Sequence, residues 1–160
     1  MSSLLSILEW CSKWGPIIFI RDSKYGMPSI QSAHLLGLTL LLATVFLLDL
    51  RLAGFGMMDL PLSGLARQLK PWTVGALTMM LLSGIFIFLA TPGKYLGSNP
   101  FRAKMVFLCL AILFHFGVLR RFTASDHSSR PRLVNAMIAV ISLTLWFSVG
   151  WAGRAIAFVP

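Results

Sequence analysis

The stretch IQSAHLLGLTLLLATVFLLDL, Ile30–Leu50, decides the fold. It carries one ionisable side chain near its start, His34, and one near its end, Asp49, with apolar residues almost throughout. About twenty such residues, rising 1.5 Å each as a helix, cross the ~30 Å hydrocarbon core of a bilayer. Working outward, three further stretches of the same kind follow at Trp72–Ala90, Phe101–Leu119 and Leu133–Gly153. Four spans predict an all-α integral membrane four-helix bundle. Composition agrees: 57% of 160 residues are apolar and 12% charged, more apolar surface than a soluble domain of this size could bury.

The segment before the first span reads differently. Leu4, Leu5, Ile7, Leu8 and Trp10 alternate with Ser6, Glu9, Ser12 and Lys13, and Trp14 and Pro16 follow. That pattern predicts a retained N-terminal amphipathic helix lying in the interface over residues 1–27, ahead of a four-span domain at 28–160. Pro28, Pro71, Pro100 and Pro131 stand before or at the start of the spans, where a missing N–H costs nothing. Gly75, Ser83 and Gly84 in the second span, and Ser142, Ser148, Gly150 and Gly153 in the fourth, predict close helix approaches.

An even number of spans puts both termini on one side, here side A, and the loops 52–71 and 120–131 on side B. Basic residues divide equally. Side A has Lys13, Arg21, Lys24, Lys94, Arg102, Lys104 and Arg154; side B has Arg51, Arg67, Lys70, Arg120, Arg121, Arg130 and Arg132. The count assigns no orientation. The net charge of +9 is spread around the spans, which fits contact with anionic lipid headgroups and excludes a nucleic-acid patch. Cys11 and Cys109 form no motif, and the five acids are too scattered for a paired-carboxylate site. No hydrolase or nucleotide-binding motif is present.

Ionisable groups inside a span are expensive, so they face protein or a water-filled cavity. At 100° per residue His34, Leu38, Leu41, Val45 and Asp49 share one stripe of the first span, and Lys104, Leu108, Ala111 and His115 share one of the third. Because these two spans run in the same direction, His34 and Lys104 lie towards side A, and Asp49 and His115 towards side B. The histidines differ in depth by about ten residues, roughly 15 Å, which separates them into two sites or an oligomer interface. Inward-facing histidines in an apolar bundle point to haem b, with His34 and His115 as candidate axial ligands to the iron. Met105 is a possible partner at the depth of His34, and Met79 or Met137 at that of His115. The competing reading is a structural hydrogen bond, for instance from His115 to Asp49. Asp49, Arg51 and Lys104 also suit interfacial ion pairs or snorkelling anchors. The adjacent pairs Met57-Met58 and Met79-Met80 hint at copper handling.

Five segments, His34-Leu35-Leu36-Gly37, Asp49 to Gly54, Pro71-Trp72, Phe101 to Lys104 and Phe114-His115, resemble an uncharacterised bacterial family of four-helix membrane proteins, a domain of unknown function. The match covers about Ile20 to Arg121. More distantly, the early His, the Leu-Arg-Leu at the end of the first span and the later Lys are similar to CopD-like copper-resistance proteins and HemJ-type protoporphyrinogen oxidases. The nearer resemblance implies a bacterial inner membrane. The more distant one implies haem b and redox work, carried onto His34 first, with Arg51 and Lys104 as propionate or substrate partners. The expectation is a small haem-b protein for electron transfer, or a redox subunit of a larger membrane complex or homo-oligomer. A proton or copper transport module and a cofactor-free structural subunit are the alternatives.

Overall fold

The computed structural model describes residues 8, 10–56, 59–119, 121–122, 131–156 and 158. Most of the proposed interfacial segment before Leu8, Glu9, the pair Met57-Met58 and the polar loop 123–130 with His127 lie outside the described residues. After a short helix α1 (Gly15–Asp22) come the long helices α2 (Gly26–Ala53) and α3 (Leu62–Ala90). A five-residue helix α4 (Pro92–Leu96) precedes α5 (Asn99–Leu113), which continues as a π-helix over Phe114–Leu119, and α6 (Arg132–Ala155) follows. No strand occurs among the described residues. Helices α2, α3, α5 with its π-helical extension, and α6 are each long and apolar enough to cross a membrane. The protein is a multi-pass, all-α membrane bundle.

The spans outrun the apolar stretches that announce them. The largest difference is in α3, which begins ten residues before Trp72 and takes Pro71 into its interior. Leu62, Leu65, Ala66 and Leu69 explain this, because they recur at helical spacing and pack on the bundle (Leu65 is buried). Pro71 removes one backbone bond from the helix. It is exposed, close to the side-B end of the span, where water or headgroups satisfy the freed carbonyl. At the end of α2, Gly54 adopts φ +84°, and the Gly54 and Phe55 N–H groups donate to the Arg51 and Leu50 carbonyls. This left-handed cap stops the helix and satisfies its last carbonyls.

Packing is uneven around the bundle. Helix α2 lies closely along α3 and also contacts α6, and α6 contacts α5, whereas α3 and α5 scarcely touch. A buried layer of Leu41, Val45, Ala76, Leu77, Met80, Leu108, Ala111, Trp146 and Val149 joins the four spans at mid-depth. A second apolar group, including Leu48, Leu52, Leu119 and Ile138, fills the side-B half.

Two spans approach closely at Gly37, where an added Cβ would stand 3.1 Å from the Met80 nitrogen and 3.2 Å from the Ala76 carbonyl oxygen. These are backbone atoms of α3 and cannot swing aside. Gly37→Ala gains about 1 kcal/mol of helix propensity but overpacks the α2–α3 seam, at about 1–3 kcal/mol. The net result expected is a less stable protein in detergent unfolding. Gly75→Ala, where an added Cβ would meet nothing within 4 Å, is expected to be neutral or stabilising.

Candidate functional site

The weak contact between α3 and α5 leaves a cleft, and the two intramembrane histidines stand at its opposite ends. His34 lines a side-A chamber with two lobes of about 300 and 420 Å³. The lobes share Gln31, His34, Ile87, Lys104 and Gly153; Lys94 and Tyr95 border one, and Arg154 borders the other. A stack of Phe88, Tyr95 and Phe101 bridges α3, α4 and α5 at this end, with Phe88 and Phe101 nearly parallel at 5.4 Å.

Ser83 fixes the chemistry of His34. Its hydroxyl has a single hydrogen, which goes to the Met79 carbonyl at 2.6 Å and is shared with that of Met80 at 3.2 Å. Ser83 Oγ also lies 3.0 Å from His34 Nδ1, a hydrogen bond in which Nδ1 is the donor when the serine hydrogen stays on those carbonyls. In the tautomer that donates from Nδ1, Nε2 keeps the lone pair; the Met80 backbone is a further hydrogen-bonding group on the imidazole. The ring fits here because residue 84 is glycine: an added Cβ would lie 3.2 Å from His34 Cε1. Glycine at 153 does the same for Lys104, whose Nζ would be 3.4 Å from an added Cβ. Lys104 thus runs along α6 into the chamber, close enough to His34 to interact electrostatically. Among the described residues Lys104 forms no ion pair; Asp22 is held by its neighbour Arg21. A half-buried lysine inside a span with no carboxylate beside it calls for an anionic partner.

The side-B end is built otherwise. His115 is buried in the π-helical segment of the third span, where its ring meets Phe116 and Trp146 edge-on at 5.1 and 6.3 Å. It borders a cavity of about 230 Å³ with Ser63, Arg67, Lys70 and Thr73. Asp49 has no exposed surface, and neither of its oxygens has a hydrogen-bond partner. Ser142 is the polar side chain acting on it, although the two hydroxyl and carboxyl groups do not meet in ordinary hydrogen-bond geometry.

The described family of unknown function DUF6644 matches residues 14–159. The chain belongs to this family. No curated protein and no solved structure matches it, so the link to CopD-like and HemJ-type proteins gains no support from these comparisons.

Within this DUF6644 chain the stripes read from the sequence lie inward, since Leu41, Val45, Asp49, Leu108, Ala111 and His115 are all buried. His34 and Lys104 come together at side A. His115 does not join them: its cavity shares no lining residue with theirs, and a single ligand held by both histidines of one chain does not fit. Arg51 is also at the far end from His34, with Nε and one terminal nitrogen donating to the Leu60 carbonyl at 3.0 and 2.7 Å. The methionine partners are placed elsewhere as well. Met105 and Met137 are exposed on outer helix faces, and Met79 reaches towards Gly37. Asp49 is a buried interior group, contrary to the anchor role that its place near the end of the span suggested. Among the described residues no three His, Cys, Asp or Glu side chains assemble. Sequence reasoning passed over Ser83 as a partner and named it only as a small packing residue. Its position on the second span, opposite His34, follows from the α2–α3 register that Gly37 sets.

Proposed function

We propose that this protein binds haem b in the side-A chamber, with His34 as axial ligand, and exchanges electrons within a bacterial inner membrane. The observation that carries the reading is the Ser83–His34 pair. Metal-ligating imidazoles characteristically donate their other N–H to a fixed acceptor, which sets both tautomer and ring orientation. Here a proton on Nδ1 would leave the Nε2 lone pair for a metal, and the ring borders a mostly apolar chamber of ligand size. The chamber also meets the second requirement of haem, because Lys104 and Arg154 offer cations to propionate carboxylates. Bound haem would supply one-electron chemistry, while Ser83 orients His34 and the Phe88–Phe101 stack closes the end of the cleft. The sixth ligand and the redox partner would come from a second copy or another subunit. The transport reading draws less support, since the layer between the two ends is Leu, Val, Ala, Met and Trp, a poor path for water or ions.

An oxidised-minus-reduced visible spectrum of detergent-purified protein, with a pyridine haemochrome assay, tests this. Stoichiometric b-type bands are expected in the native chain and in His115→Ala, and their loss is expected in His34→Ala. Absence of bands after expression with ample haem, or bands that survive His34→Ala, would overturn the assignment.

A further inference from the structure

Asp49 is the only acid on any of the four spans, and it sits wholly inside the bundle with both oxygens unpaired. Two more buried polar atoms without partners lie on other spans: Ser142 Oγ on α6, which packs against α2, and His115 Nδ1 on the π-helix, which packs against α6. An isolated carboxylate buried in low dielectric is prohibitively costly, so such a group takes a proton or a counterion. The acid Asp59 on this side is exposed in the 52–71 loop, and the cations near this end have other contacts. Arg51 holds the Leu60 carbonyl, Arg132 lies over the Phe55 ring, and Arg67 and Lys70 border the His115 cavity.

Asp49, Ser142 and His115 are all buried on the inward faces of their helices. The cavity reaches His115; His115 packs on Trp146; Ser142 is one turn from Trp146 on α6 and faces Asp49. A cavity of about 230 Å³ has room for several waters at about 30 Å³ each, and Ser63, Thr73 and the free His115 nitrogen give them partners. The π-helix belongs to the same design, since such segments interrupt α-helices chiefly where a side chain is being aimed for function.

We propose that Asp49, Ser142 and His115 form a buried proton-binding site, in which neutral Asp49 holds the proton and exchanges it with side B through water in the His115 cavity. The site is separate from the His34 chamber and stands whether or not haem binds there. In the exchange step the Asp49 O–H bond breaks, the proton passes by way of water and the His115 imidazole to the side-B solvent, and a solvent proton returns by the same route. No oxidant or other reactant is needed.

Infrared spectroscopy of the full chain in lipid tests it. A protonated-carboxyl C=O band is expected at neutral pH, absent from Asp49→Asn, displaced in Ser142→Ala and shifted on transfer to D₂O. In His115→Phe the shift should be slower by about 100-fold, the lower end of what a positioned proton-transfer group contributes. If no band depends on Asp49, the carboxyl is ionised and balanced by a bound cation, and the proposal fails. A band that does not exchange in the native protein, or exchanges as fast in His115→Phe, would make Asp49 a sealed structural acid and overturn the route. The native exchange and the Ser142→Ala displacement keep the test decisive should Asp49→Asn fail to fold.

Discussion

Trp146→Ala is expected to cost about 3 kcal/mol, the low end of the range for emptying a buried aromatic site. Trp146 is 1% exposed and touches the mid-depth layer contributed by all four spans. In a soluble protein the loss would combine removal of apolar area from water with the cavity left behind. In a bilayer the first contribution is small, because lipid chains are as apolar as the core, and the cost reduces to lost packing and the void. The His115 ring also loses its edge-on neighbour. Reversible unfolding in mixed detergent, with Phe147→Ala alongside, measures the difference. Phe147 is 60% exposed on the adjacent outward face, and its truncation should stay within about 0.5 kcal/mol. Equal losses from the two variants would mean that α6 is rotated from the orientation described here.

The four spans were legible because the bilayer leaves a sequence little choice: each needs about twenty apolar residues, and backbone groups in lipid must bond within the helix. The same rule made His34, Asp49, Lys104 and His115 stand out, and helical spacing placed them on inward stripes. Three things were not legible. Pro71 reads as a helix start, and only the packing of Leu65 and Leu69 shows the chain already helical before it. The π-helix around His115 has no sequence signal, since Phe114–Leu119 would serve equally well as ordinary α-helix. Third, spans that are apolar all round carry no mark of which face meets protein and which meets lipid. Gly75 looked like a packing glycine and has nothing beside it, whereas Gly37, which was not read as a packing residue, sits at a close seam between two spans. Met105 and Met137 were credible ligands for the same reason and prove to face outward.

Gly84→Val is expected to abolish ligand binding at His34 while leaving the bundle folded. The atom that an added Cβ approaches, at 3.2 Å, is His34 Cε1, with Nδ1 at 3.6 Å. A side-chain ring can yield where a backbone cannot, so the helices keep their spacing and the imidazole turns away from Ser83. Two branch methyls at Cβ deepen the conflict, because valine has one strongly preferred rotamer in a helix. Once the Nδ1–Ser83 bond is broken, the imidazole loses the partner that orients it at the chamber wall. A loss of at least about 1.4 kcal/mol, a tenfold fall in affinity, follows from that misplacement. Gly75→Val is the matched control: same helix, same change in propensity, and open space around the new side chain. Haem content and thermal stability measured on both separate the effects. Equal stability with haem lost only in Gly84→Val would place the ligand on His34 and make Gly84 its positioning residue; equal haem content in the two would remove His34 from the site.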